Sequence, residues 1–146
     1  MRVNTRFTVA IHILVLVALN DAHPATSEMM AESVGSHPVV IRQGMSLLKK
    51  AGLVETKNGL PGGRLSKPQE EITLCDIYQA VKNSEESVIF DVHQNPNPKC
   101  PVGCNIVSAL DAPILHAQDA MENALKDYTL KDITTYIVEK YSQQNK

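Results

Sequence analysis

Apolar residues recur at helical spacing along most of the chain and alternate only in one short stretch, a pattern that predicts a mainly α protein with a small β-hairpin. The first run, RFTVAIHILVLVAL, is apolar on more than one side: Phe7, Ile11, Leu14 and Ala18 form one stripe, while Val9, Ile13, Leu16 and Val17 lie elsewhere. A helix with two apolar faces needs two packing partners and is expected inside the molecule. Thr26 or Ser27 then caps a short helix that stops at Gly35, and Pro38 opens another that runs to Gly52. Ile41, Met45 and Leu48 supply the inner face of that second helix, and Gly44 interrupts it at a cost of about 1 kcal/mol relative to Ala. Leu53 and Val54, a turn rich in Gly59, Pro61, Gly62 and Gly63, and then Arg64 and Leu65 predict strand, tight turn, strand. Two helices joined by a short turn and followed directly by a hairpin have the dimensions of a winged helix-turn-helix.

Beyond the hairpin, Thr73 and Asp76 are spaced as a capping box at the start of ITLCDIYQAVKN. Residues 83 to 103 lack periodicity and hold several prolines, which predicts a loop. From about 104 to 126 Val107, Leu110, Ile114, Ala117, Met121 and Ala124 alternate in steps of three and four. That seam, about three heptads long, suits dimerisation, and Pro113 inside it is expected to kink or open the helix. A last helix is expected from near Thr129, with Asp132 as cap partner, to Tyr141. The chain thus divides into a winged helix-turn-helix at 1–82, a cysteine-containing loop at 83–103, and a dimerisation helix with a C-terminal helix at 104–146.

Composition adds little until the charge is split. Of 146 residues, 43% are hydrophobic and 21% charged, ordinary for a soluble protein, and only Phe7, Phe90 and four tyrosines supply rings. The net charge is −2, yet residues 1–67 hold 8 basic against 4 acidic residues and residues 68–146 hold 6 against 12. Between 37 and 67 Arg42, Lys49, Lys50, Lys57, Arg64 and Lys67 face one acid, Glu55. Such asymmetry points one half of the molecule at a polyanion, here double-stranded DNA. Arg2 and Arg6 ahead of an apolar run are similar to a secretory signal, but Thr8 and His12 interrupt the run and it is too short to span a bilayer. Three cysteines, an odd number, argue for a reducing compartment, so a cytoplasmic protein with no membrane partner is expected. An enzyme would pair Cys100 or Cys104 with His93 or His116, but no phosphate loop, oxyanion hole or nucleotide fingerprint accompanies them, so no catalytic activity is expected.

In this order the segments RFTVAIHIL, LLKKAGLV, NGLPGGRL and ITLCDIYQAV resemble the Rrf-two family of winged-helix bacterial regulators over nearly the whole chain, and NPNPKCPVG with ALD and AMENAL resembles one subgroup of it. The resemblance implies a homodimer held by the long helix, with two recognition helices in successive major grooves of a pseudo-palindromic operator. It implies that His37, Val39, Val40, Arg42 and Gln43 face base edges, with Arg42 suited to guanine, and that Lys57, Asn58 and Arg64 in the wing meet phosphates or the minor groove. A repressor is the expected sign of regulation, and its small-molecule or oxidant effector is not specified.

The loop NPNPKCPVGC admits three readings. Cluster-binding members of the family carry three cysteines in this segment; here there are Cys100 and Cys104 alone, so an iron–sulfur cluster would need Cys75 or donors such as His93, Asp91 or His116, and a zinc site would need two of the histidines. No cofactor is therefore expected. A thiol switch is supported by Cys104 near a helix start and Lys99 beside Cys100, since both stabilise thiolate. The third reading makes Pro96, Pro98 and Pro101 a stiffener with the two cysteines as small apolar groups. Cys75 belongs with Ile72, Ile77 and Val81 in a core. The alternatives to a thiol-responsive regulator are an iron–sulfur or metal-sensing regulator and a dimeric interaction module that has lost DNA affinity.

Overall fold

The computed structural model describes residues 3–145 except 21, 58, 61, 83–89 and 91, so Asn58, Pro61 and Asp91 lie outside the described residues. In chain order the elements are α1 (Val3–Leu19), α2 (Ser27–Val34), α3 (Pro38–Lys50), β1 (Val54–Glu55), β2 (Arg64–Leu65), a 3-10 turn (Gln69–Glu71), α4 (Leu74–Val81), α5 (Ile106–Leu125) and α6 (Leu130–Gln144). The architecture is mainly helical with one small antiparallel sheet, pairing Val54 with Leu65 and Glu55 with Arg64.

Helix α1 is the axis of the core. Ala10, Ile13, Leu14, Val15 and Val17 are all buried, and α2, α3, α4, α6 and β2 pack around it, which gives both apolar faces the partners they require. Gly44 has its reason here: a Cβ at that position would lie 2.8 Å from Ile13 Cδ1, so the glycine lets α3 approach α1. Thr26 is the cap of α2, its hydroxyl oxygen accepting from the Met29 N–H at 3.2 Å. At the end of α3 the Leu53 N–H donates to the Leu48 carbonyl and the Gly52 N–H to the Lys49 carbonyl, both at 3.0 Å, which is a Schellman motif. That commitment of the Leu53 amide delays β1 to Val54–Glu55, one residue later than the sequence pattern places it.

The wing leans on the α1–α2 connection. Gly62 has φ +72, and a Cβ there would come within 2.7 Å of Pro24 Cβ and 2.8 Å of the Ala25 carbonyl oxygen, so both the backbone and the space demand glycine. Two capping boxes form where expected: the Thr73 and Asp76 side chains exchange hydrogen bonds with each other's backbone N–H at 3.0 Å, and Thr129 and Asp132 do the same at 2.8 and 3.2 Å. The boxes stand side by side. Thr73 and Thr129 form an antiparallel bridge, in which the Leu74 N–H reaches the Tyr128 carbonyl at 2.9 Å and the Leu130 N–H the Ile72 carbonyl at 2.8 Å. Leu130 is thereby carried into the core beside α1 and is fully buried.

Helix α6 continues past Tyr141 to Gln144, because the Asn145 backbone and side-chain N–H groups both donate to the Tyr141 carbonyl, at 3.2 and 2.9 Å, and close the last turn. Helix α5 runs unbroken through Pro113, whose ring is exposed rather than wedged against a neighbour. None of its residues is buried within the chain. Its polar tie to the rest is Glu122, whose Oε1 accepts from Gln79 Nε2 at 2.8 Å and Lys82 Nζ at 3.0 Å. The Lys82 hydrogen bond holds the Glu122 carboxyl below its ordinary value, while the same bond raises the lysine. Among the described residues no helix is long and apolar enough to cross a membrane.

Candidate nucleic-acid interface and thiol loop

Burial of Ile41 and Leu48 fixes the rotation of α3, and helical geometry then turns Val39, Arg42, Gln43, Ser46 and Lys49 outward. Val39 is 57% exposed, an unusual state for a valine at the start of a helix, while Val40 is half-buried. His37 is the residue before the helix, makes no side-chain cap bond there and is exposed. In the wing Lys57 and Arg64 are exposed and line, with Lys49 and Leu60, an open cleft of about 750 Å3. A neighbouring cleft of about 520 Å3 is shared by Glu28 of α2, Arg42 and Lys49 of α3, and Thr56, Leu60 and Gly62 of the wing. Arg42 and Lys49 of α3 therefore share a surface with Lys57 and Arg64 of the wing, whereas Val39, Val40 and Gln43 line a separate cleft with Arg6 and Val9 of α1 and Val81 of α4, and His37 lines another with Glu28 and Glu32. A tie absent from the sequence reading crosses the first of these: Arg42 Nη2 donates to Glu28 Oε1 at 3.1 Å.

Ahead of α5 the residues from Asn97 to Asn105 form a wound turn. The Asn97 side-chain oxygen accepts from the Lys99 N–H at 3.0 Å, its carbonyl accepts from the Cys100 N–H at 3.2 Å, and the Cys100 carbonyl accepts from the Cys104 N–H at 2.9 Å. Gly103 makes this closure feasible, since a Cβ there would sit 2.5 Å from the Asn97 carbonyl oxygen. The backbone N–H groups of Gly103 and, second, Val102 near Cys100 hold its thiol below the ordinary value. The sequence pattern places amide donors at Cys104; the structure gives them to Cys100, because α5 starts only at Ile106 and the tight turn precedes it. Cys104 is exposed, its sulfur accepting from Asn105 Nδ2 at 3.2 Å and facing the Pro101 carbonyl at 3.5 Å. Cys75 is buried in α4, as its neighbours imply.

The amide cradle has a direct readout. Alkylation of Cys100 by iodoacetamide, followed residue by residue in peptides, is expected to show a midpoint below that of an ordinary exposed thiol. Gly103→Ala, which opens the turn, should move that midpoint up; a variant profile superimposable on the parent would dismiss the cradle.

Among the described residues no three His, Cys, Asp or Glu side chains gather into a metal-binding group, and His93 and His116 are both exposed. Asn97, Gly103, Gln79 and Glu122 were not found from the sequence: each acts through backbone closure or a long-range pairing, which residue spacing does not reveal.

Residues 3–136 match the profile of a family described as Rrf2, iron-dependent transcriptional regulator. YwnA of Bacillus subtilis (strain 168), provisionally named an HTH-type transcriptional regulator, is 45% identical over 135 residues, which span 92% of this chain and 98% of that one. A crystal structure of a protein provisionally described as DNA-binding shares 42% identity at a TM-score of 0.70, covering 88% of this chain and 97% of the other. CymR, the global cysteine regulator of B. subtilis, is similar in fold alone, at 20% identity and a TM-score of 0.63 over 93% of this chain and 98% of its own. The iron dependence in the family description meets a poor donor set among the described residues: two thiols one turn apart, with the third cysteine buried in a different helix, do not supply the ligands of a four-ligand cluster.

Proposed function

The chain belongs to the Rrf2 family of transcriptional regulators, and from that premise we propose that it is a cytoplasmic, homodimeric repressor that reads a pseudo-palindromic operator and responds to oxidation of its loop thiols. The family is one of regulators rather than enzymes. The main support is the cationic surface that Arg42 and Lys49 of α3 share with Lys57 and Arg64 of the wing, in a chain whose net charge is −2. His37, Val39, Val40, Arg42 and Gln43 are assigned to base edges, and Lys57, Asn58 and Arg64 to phosphates or the minor groove. Reading successive major grooves requires a dimer, here paired along α5, to hold two such surfaces about 34 Å apart, one turn of duplex.

Binding to duplex DNA that weakens with salt tests the reading. With two copies of Lys57 and Arg64 on the phosphates, affinity should fall by roughly a hundredfold between 50 and 200 mM salt. Salt-insensitive binding, or none, would remove DNA reading and leave the α5 seam as an interaction module.

The thiol response follows from the turn. Residues one helical turn apart hold their Cβ atoms about 5–6 Å apart, whereas a disulfide needs about 3.8 Å. Joining Cys100 to Cys104 therefore draws on the Cys104 N–H to Cys100 carbonyl bond immediately ahead of α5. With a peroxide as oxidant, the Cys100 thiolate attacks one oxygen, the O–O bond breaks and a sulfenic acid forms; the Cys104 thiol then displaces water from that sulfur. Oxidised protein is expected to bind the operator at least about tenfold more weakly, because losing register at one half-site removes much of the specific affinity. Cys100→Ser should abolish the difference, and an unchanged oxidant response in that variant would clear the loop of sensing.

A further inference from the structure

Glu28 is an acid in a place where a DNA-facing surface has little use for one. It stands in the first turn of α2 and lines the cleft shared by α3 and the wing, where it is the one acid among the described lining residues, alongside Arg42 and Lys49. Its carboxylate holds Arg42 Nη2 at 3.1 Å, with 67% of its own side chain and 58% of the arginine's exposed. Ion pairs as open as this add little to folding stability. Near a duplex the acid would also repel phosphates and lower the affinity for DNA of any sequence.

What the pair supplies is direction. An arginine standing free on a basic surface reaches whichever phosphate oxygen is nearest, and so contributes binding without discrimination. Guanidinium carries more N–H donors than a bidentate guanine contact uses, so Nη2 can keep its bond to Glu28 while the other donors address O6 and N7. The carboxylate narrows the rotamers of Arg42 and offsets its charge. Attraction to phosphate, which depends on charge, is diminished; hydrogen bonding to a base edge, which depends on orientation, is preserved.

We infer that Glu28 is a specificity-determining positioning residue, holding Arg42 for guanine readout and suppressing its attraction to DNA of unrelated sequence. This rests on the reading that α3 addresses base edges. Glu28 need not touch DNA; it acts through Arg42.

The test uses the full chain, a randomised duplex pool and one fixed duplex of unrelated sequence. Binding followed by sequencing is run on the parent, Glu28→Gln, Arg42→Ala and the double variant, with thermal unfolding to show that each remains folded. The parent should prefer guanine at one position of each half-site by about tenfold or more. Glu28→Gln should reduce that preference at least threefold, bind the unrelated duplex about three- to tenfold more tightly, and steepen the salt dependence. Arg42→Ala should lose the preference, and adding Glu28→Gln to it should change the base profile no further. A Glu28→Gln profile identical to the parent's, or an equal change in the presence and absence of Arg42, would overturn the inference while leaving DNA reading intact. A parent that selects no sequence from the pool would overturn both.

Discussion

Ile114→Glu is expected to turn the protein from dimer to monomer in sedimentation or light scattering, and to cost at least about a hundredfold in operator affinity. Val107, Leu110, Ile114, Ala117, Met121 and Ala124 share one seam of α5, and none of them is buried within its own chain. A charge on that seam therefore disturbs no core in the single subunit. In a dimer paired along this seam each subunit would bury one such charge, and burying two unpaired carboxylates costs several kcal/mol. The loss on DNA follows from geometry: two half-sites held by one body bind with an advantage that separate monomers lack. A variant that stays dimeric with unchanged affinity would place the contact elsewhere. The exposed Tyr136, Ile137, Val138 and Tyr141 of α6 are the next surface to try.

Leu14→Ala should lower the unfolding free energy by about 2.7–5 kcal/mol, the range for a leucine removed from a packed interior. Leu14 has no exposed surface and sits on the helix around which α2, α3, α4 and α6 pack, so several elements would have to shift to fill the space. For a chain of this length that loss lowers the thermal midpoint by roughly 6–15 °C. A midpoint within about 2 °C of the parent would mean that α1 is not the axis of the core.

Much of the architecture was legible because its signals are local. Thr73 with Asp76 and Thr129 with Asp132 are three residues apart, and the helix cap is a short-range hydrogen bond that the spacing itself describes. The double-sided apolar pattern of α1 announced its central position, since no surface helix tolerates it. The shifts at β1 and α6 arose at element ends, where the Leu53 amide is given to α3 and the Asn145 amide closes one more turn of α6. The candidate site was legible in its residue types and not in its pairings. Glu28 and Arg42 are fourteen positions apart and meet only because the α2–α3 turn folds them together. The cradle under Cys100 depends on Gly103 closing against Asn97, a backbone event that helix position alone assigns to Cys104.

The bridge between Thr73 and Thr129 bears on how the protein is made. A ribosome delivers the chain from its N-terminus, and the reading surface of α3 and the wing is synthesised within the first half of the chain. Yet Leu130, seated against α1 by that bridge, closes the same core. A nascent chain that has not reached residue 130 holds α1 with one of its flanks open to water, so the reader acquires its final packing only in the closing stage of translation. Unfinished chains arrested before that point would carry an incomplete core and be ready substrates for proteolysis.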